Sequence, residues 1–320
     1  MRILITGSEG VLGSTLRTKL KEKGHIVFGC DLIHTDDPQY MRADISERRQ
    51  IARAFEKFTP DLVYNLAAEF GRNNGQDYYE QLWRTNCLGT RNVIEECIQS
   101  KATLAHASSS EAYGLAELYT KGTLDEGLLD KFPPSFHNEY ALTKWVNERQ
   151  IHMAVRNDNL SAVIFRFFNV YGPPEMYTPY RSVVCQLAYK LLAGLPIKIT
   201  KDGYRSHLWI GDWADAVSTL PDSGFEFNKY WEGSAKTDWT PVFNIGGDDY
   251  TSIEELYNML VDIIKPNDPD VTFIETETNN TATKRPNNEL SKLWLGYKHT
   301  MPLKDGLIRT VSFLKAVHGL

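Results

Sequence analysis

Two residue patterns in this sequence could do chemistry. The first is Gly7-Ser-Glu-Gly10-Val-Leu-Gly13, three glycines spaced three apart, directly after a short apolar run. Backbone N–H groups at a helix start bind phosphate. Glycines there make the tight turn, let the chain approach a pyrophosphate, and let helix and strand pack closely. Asp31 closes the next apolar run, and Asp36 and Asp37 follow it, with no Arg or Lys immediately after. A carboxylate at that place accepts from both hydroxyls of a ribose and repels a 2′-phosphate, which points to NAD rather than NADP. The second pattern is Tyr140-Ala-Leu-Thr-Lys144. Four apart on a helix, the two side chains share a face. An ammonium and a nicotinamide charge both favour phenolate, so the tyrosine is expected to titrate closer to working pH. It could then take a proton from a hydroxyl while hydride leaves the same carbon. Alone, such a pair is common on surface helices, and its meaning depends on the motifs around it.

These residues need a frame. Residues 3–6, 26–30, 62–66, 104–108 and 162–167 are apolar runs of strand length, and 11–23, 50–58, 78–100 and 139–156 read as helices. Strands alternating with helices at these spacings imply an α/β fold with a doubly wound parallel (Rossmann) sheet. Past Gly172-Pro173-Pro174 the rhythm changes: 182–193 and 253–264 read as helices, 242–245 as a strand, and 222–241 as a loop-rich insertion. The expected division is an NAD-binding domain over 1–173 and a smaller substrate lobe over 174–320. Segments near 205–220 and 242–248 are expected to return to the first domain.

The motifs, taken in order, resemble the extended short-chain dehydrogenase/reductase family, and within it the NAD-dependent nucleotide-sugar epimerases and dehydratases. The resemblance rests on the Gly-x-x-Gly-x-x-Gly turn, Asn65-Leu-Ala-Ala68, Ser108-Ser-Ser-Glu-Ala-Tyr-Gly114, Tyr140-x-x-x-Lys144, Arg166-Phe-Phe-Asn-Val-Tyr-Gly-Pro173, Val242-Phe-Asn-Ile-Gly-Gly247 and Lys284-Arg-Pro286. It implies cofactor contacts at Gly7, Gly10, Val11, Leu12, Gly13, Asp31, Asp44, Ile45, Leu66, Ala67, Ala68, Asn86, Ser108, Tyr140, Lys144 and Phe168. It implies catalytic roles for Tyr140, Lys144 and Ser109, whose hydroxyl would bond the reacting oxygen. Asn169, Arg205 and Arg285 match positions that contact a nucleotide-sugar diphosphate and its ribose. Guanidinium forks suit that geometry. Arg72, Arg181 and His137 are further candidate substrate contacts. The two long helices resemble a four-helix dimer interface, with Trp83 and Trp145 as large residues on them, so a homodimer is expected.

Glu111 carries a separate argument. Oxidising a sugar hydroxyl to a ketone acidifies the neighbouring C–H bonds, and a nearby carboxylate can remove that proton. The resembling dehydratases and decarboxylases carry a Glu here. In the dehydratases the residue before it can be an acidic Asp, but here it is Ser110, which weakens a 4,6-dehydratase reading. A pocket residue without proton-transfer duty remains open for Glu111.

Composition narrows the alternatives. The chain has 320 residues, 42% hydrophobic and 24% charged, with a net charge of −6, so nucleic acid is a poor partner. No apolar run approaches the ~20 residues of a membrane helix. The four cysteines show neither a C-x-x-C pair nor metal-ligand spacing, so no metal site is expected and reduced thiols of a cytoplasmic protein are. Met1 leads straight into a strand, with no signal peptide expected before it. The sequence therefore reads as an NAD-dependent enzyme oxidising a nucleotide-activated sugar, C4 first among the carbons, as an epimerase or a 4-dehydrogenase. A 4,6-dehydratase comes next and a decarboxylase lower. A non-catalytic NAD-binding sensor or assembly protein and a reductase of small carbonyls are the rivals.

Overall fold

The computed structural model describes residues 1–116, 120, 122–132, 134–201, 203–223, 240–275 and 283–320. Six strands of one sheet come from the first 168 residues: β1 (Arg2–Thr6), β2 (Ile26–Asp31), β3 (Tyr40–Arg42), β4 (Leu62–Asn65), β5 (Thr103–Ser109) and β6 (Ala162–Phe168). A seventh, Val242–Gly246, joins beside β6, giving the order Val242–Gly246, β6, β5, β4, β1, β2, β3 with every neighbouring pair parallel. The short apolar runs behave as a two-sided sheet demands. Ile3 and Ile5 enter the core on one face with Leu16, Leu20, Tyr64 and Phe165. Leu4 and Val63 enter the other with Ile51, Phe55, Val93 and Ile151. The chain order reverses between β1 and β4, and a cleft opens at the carboxyl ends of strands on either side of such a switch.

The later chain serves both parts. Helix Ile210–Val217 lies against helix Val11–Glu22, and the Tyr64 hydroxyl, from β4, donates to the Val217 carbonyl at 2.8 Å. Helix Val183–Ala193 is capped by the Ser182 hydroxyl, which accepts from Cys185 N. Helix Ile253–Ile264 starts on a reciprocal Ser252–Glu255 capping box. The edge strand β3 and the helix Leu303–His318 lie outside the elements expected from sequence. The expected helix over 78–100 is a composite: Tyr79–Trp83 is α-helical, Arg84–Gly89 forms a wider π turn, and Thr90–Ser100 resumes the α-helix. Most of the expected insertion over 222–241 lies outside the described residues.

Candidate active site

A cleft of about 770 Å³ runs from the glycine turn across the ends of β1, β4 and β5 to the C-terminal part of the chain. Its first half is a backbone cradle. Gly7 has φ +69°, and a Cβ there would lie 2.8 Å from Ala67 N; at Gly13 a Cβ would lie 2.0 Å from the Gly7 carbonyl oxygen. Only glycine leaves this turn tight and its surface bare. Helix Val11–Glu22 begins on Gly10, which offers no side-chain cap, so its first N–H groups are left for a ligand. Val11, Leu12, Asp44, Ile45, Leu66, Ala67 and Ala68 line the same half. Asp31 holds the turn in place, one oxygen accepting from Glu9 N at 2.9 Å and the other from Leu32 N at 2.7 Å. Arg17 is occupied nearby by Asp37 at 2.6 Å and Glu9 at 3.3 Å. Of these three carboxylates Asp31 lines the cleft, while Glu9 and Asp37 are matched by Arg17; a carboxylate at that place suits free ribose hydroxyls and disfavours a phosphate.

The reacting centre joins β5 to helix Glu139–Asp158. That helix starts where the Asn138 side chain accepts from Ala141 N at 2.8 Å. Its first turns carry Tyr140 and, one turn on, Lys144. The Lys144 ammonium lies 5.8 Å from the Tyr140 ring centroid and donates to the Ala107 carbonyl at 2.8 Å. Burial pulls Lys144 down to about 8, against the opposing pull of Cys87 and Glu148. Ser109 ends β5, shares a side-chain hydrogen bond with Tyr140, and accepts from Glu111 N at 3.2 Å. The phenol departs from the sequence expectation. Burial raises it above its ordinary value, the Ser109 hydrogen bond works against that, and the Glu111 carboxylate adds to it. The chain's own residues therefore hold Tyr140 protonated, and any lowering has to come from a cationic group bound beside it.

Several expected residues sit elsewhere. Phe168 is fully buried, packed with Tyr113, and absent from the cleft lining, whereas Phe167 lines it, because successive side chains on a strand face opposite ways. Asn86, in the π turn, is buried and clamps the Glu69 backbone, accepting from its N–H at 2.9 Å and donating to its carbonyl at 3.0 Å. Ser108 donates to Glu148 at 2.5 Å while still lining the cleft. Arg72, Asn169, Arg181 and Arg205 line the second half. Asn169 takes a left-handed backbone, φ +43°, and its amide donates to the Ser206 carbonyl at 2.9 Å. Arg181 stacks over Phe70 at 5.0 Å. His137 is exposed and outside the lining.

Arg285 is the main correction. It is exposed, lies 5.5 Å from the Tyr250 ring, and is not part of the cleft lining. Its neighbour Lys284 is buried and forms an ion pair with Glu111. Residues 283–284 form a short strand, so adjacent side chains must point apart. Glu111 feels burial, which raises it, but Lys284, then Arg205 and Arg72, outweigh this and hold its carboxyl below the ordinary value. Among the described residues no cluster of His, Cys, Asp or Glu could hold a metal, and no helix is long and apolar enough to cross a membrane.

The family model for the NAD dependent epimerase/dehydratase family matches residues 3–230. The UDP-N-acetyl-alpha-D-glucosaminuronate decarboxylase of Bacillus cytotoxicus is 26% identical over 271 residues, 80% of this chain and 78% of that one. The UDP-glucose 4-epimerase of Mycolicibacterium smegmatis is 25% identical over 334 residues, 98% of this chain and 99% of that one. Among solved structures, the UDP-glucose 4-epimerase of Thermotoga maritima with UDP-glucose superposes with a TM-score of 0.83 at 22% identity, covering 99% of this chain and 100% of that one. At that identity the likeness speaks for the fold.

Proposed function

Because the chain belongs to the NAD dependent epimerase/dehydratase family, we propose that it oxidises a carbon of a nucleotide-activated sugar, C4 in the first instance, and reduces the ketone again to give the epimer. The observation that carries this is the placement of Tyr140, Ser109 and Lys144 where the glycine cradle meets the arginine-bearing half of the cleft. NAD, held by the cradle and Asp31, supplies the hydride acceptor. Tyr140 takes the hydroxyl proton, Ser109 orients the sugar oxygen, Lys144 holds the cofactor ribose, and the nicotinamide charge bound beside the phenol would favour phenolate as the proton moves. Arg205 and Arg72, with Asn169, suit the diphosphate end. A 4-dehydrogenase that releases the ketone is the second reading. The cluster around Glu111 favours a third, in which a proton next to the ketone is also moved.

Incubation with UDP-, GDP- and dTDP-sugars, read by NADH absorbance and sugar mass together, separates these. Unchanged mass with changed configuration means epimerisation, accumulating NADH means net oxidation, and loss of water means dehydration. No NADH and no altered sugar across the panel counts against the reading.

Cofactor choice is testable on its own. A hydrogen bond to a charged group is worth roughly 1.5–3 kcal/mol, so Asp31→Ala should shift the ratio of NAD to NADP dissociation constants toward NADP by about 10–100-fold. Tighter NADP binding by the unmodified protein would remove Asp31 as the selector.

We also infer a homodimer through the long helices. Trp83 is engaged within the chain, donating to Glu139 at 2.6 Å, and Trp145 packs with Phe136 at 5.9 Å. Exposed apolar groups there include Leu88, 50% accessible, and Met153, 53%, on neighbouring elements tied by Gln150 to the Cys87 carbonyl at 3.2 Å. Light scattering should give twice the chain mass at micromolar concentration. Leu88→Glu together with Met153→Glu should give the monomer, and a monomeric parent would reject the dimer.

A further inference from the structure

The arginine-bearing half of the cleft, where the sugar of the proposed reaction would lie, is walled by two loops. Phe70, Gly71 and Arg72 line it from the segment after β4, and Pro179, Tyr180 and Arg181 from the segment before helix Val183–Ala193. Each loop is fastened on its own side through buried residues. On the first, Asn74 donates to Glu69 at 2.8 Å and to the Phe70 carbonyl at 3.3 Å, and the short helix Arg72–Asp77 packs against helix Glu139–Asp158. On the second, the buried Glu175 carboxylate accepts from the Ser182 N–H at 2.9 Å and from its hydroxyl at 2.6 Å. The Tyr177 ring stacks on Tyr189 with centroids 3.9 Å apart.

The contacts between the loops are open to solvent. The Tyr180 hydroxyl donates to Asp77 at 3.0 Å, and the Tyr78 and Tyr180 rings meet edge-on with centroids 6.4 Å apart. Arg181 lies over Phe70. Tyr78 is 57% accessible and Phe70 39%. Gly71, at φ +85°, brings the two backbones close, since a Cβ there would lie 3.5 Å from the Tyr180 carbonyl oxygen. The Asp77 bond raises the Tyr180 phenol to about 12, so at neutral pH the hydroxyl keeps the proton it donates. Loops rooted by buried contacts and joined by exposed ones part first where they are joined.

We propose that Asp77 and Tyr180 latch these two loops across the cleft and so keep the oxidised sugar inside until it is reduced again. The inference rests on the epimerase reading above, in which a ketone exists between two hydride transfers. During that interval the ketone can leave. Its retention depends on how often the loops part, set against how fast hydride returns. Asp77 and Tyr180 are positioning residues: the bond they share joins the loops, and neither side chain moves hydride or a proton. An exposed hydrogen bond exchanges readily with water, so the latch can open for the sugar to enter and the epimer to leave.

Two measurements test this. In the first, UDP-glucose, UDP-glucuronate and dTDP-glucose are incubated with enzyme and NAD, and released keto sugar is compared with epimer. Tyr180→Phe keeps the ring beside Tyr78 and loses the hydroxyl. The ratio of keto sugar to epimer should rise about 3–10-fold, the change expected for one lost hydrogen bond. Loss of folded enzyme would lower both products together and leave that ratio alone. Asp77→Ala should give the same rise, and Asp77→Asn, which keeps an acceptor oxygen, a smaller one. Asp77→Ala added to Tyr180→Phe should raise the ratio no further than either alone. The second measurement needs no sugar. Acrylamide quenching of the fluorescence of bound NADH should strengthen by the same factor, about 3–10-fold, in Tyr180→Phe and in Asp77→Ala, because the reduced nicotinamide is then reached through parted loops more often. Quenching equal in the parent and in both single variants overturns the latch. Raised quenching with an unchanged ratio, or a parent that already releases all its keto sugar, overturns retention. Absence of both NADH and altered sugar with all three substrates counts instead against the hydride reading, and quenching then decides the latch alone.

Discussion

Tyr140→Phe is expected to lower turnover by about 10²–10⁴-fold while the fold and NAD affinity persist. The substitution removes one oxygen and keeps the ring, so the packing of the helix start, where a Cβ added at Gly75 would lie 3.5 Å from the Tyr140 Cβ, is unchanged. Lys144 keeps its bond to the Ala107 carbonyl and Ser109 still accepts from Glu111 N. What disappears is the phenolic oxygen to which the proposed reaction assigns the hydroxyl proton as hydride departs. The loss should therefore fall on turnover rather than on KM, the mark of an interaction made in the transition state. Single-turnover NADH absorbance gives the rate, and thermal unfolding with NAD titration checks that fold and cofactor site survive. Near-normal turnover would take Tyr140 out of the mechanism. A Lys144→Met variant should lose rate as well, with weaker NAD binding, which separates a proton acceptor from a residue that also holds the cofactor.

Contiguity decided what could be read from the sequence. The glycine turn, Asp31 and the Tyr140–Lys144 spacing are local patterns, and each follows from a strand or helix period that the residues themselves display. The parallel strands β1, β4, β5 and β6 are legible for the same reason, being short apolar runs between breakers. Contacts across the chain leave no such trace. Nothing near Glu111 announces Lys284, and a two-residue strand, Thr283–Lys284, is too short to show its own alternation, so Arg285 and not Lys284 looks like the inward cation. The π turn at Arg84–Gly89 is hidden inside a helical pattern that runs through it. Phe167 and Phe168 are chemically alike, and only the register of β6 beside β5 determines which one reaches the cleft. The direction of the Tyr140 shift depends on burial, which spacing alone does not report.

Glu148 and Arg166, 18 residues apart, meet between the long helix and β6, and their loss should give the largest change in stability. They form a two-pronged pair, Nε to Oε1 at 2.9 Å and Nη2 to Oε2 at 2.7 Å, with both side chains essentially inaccessible to water. Ser108 donates to Glu148, and the remaining guanidinium nitrogen donates to the Glu126 carbonyl at 2.9 Å. The Arg166 guanidinium also lies 4.6 Å from the Tyr113 ring centroid. Glu148→Ala leaves that guanidinium buried without its counter-ion and should destabilise the protein by about 3–5 kcal/mol. In a chain of this size the melting temperature should fall by roughly 4–8 °C. A double variant, Glu148→Leu with Arg166→Met, should recover most of the loss, because it removes both charges rather than one. Acid unfolding gives an independent reading. Burial raises Glu148, but Arg166 and then Ser108 outweigh it and bring the carboxyl down to about 2 from an ordinary 4.5. A depressed carboxyl stabilises the folded state above its unfolded value and loses that contribution as pH falls through the folded one. The parent should therefore lose stability between about pH 4.5 and 2, and the double variant should lose less over that window. Equal acid sensitivity in the two proteins, or a double variant no more stable than Glu148→Ala, would show that the pair does not hold β6 to the catalytic helix.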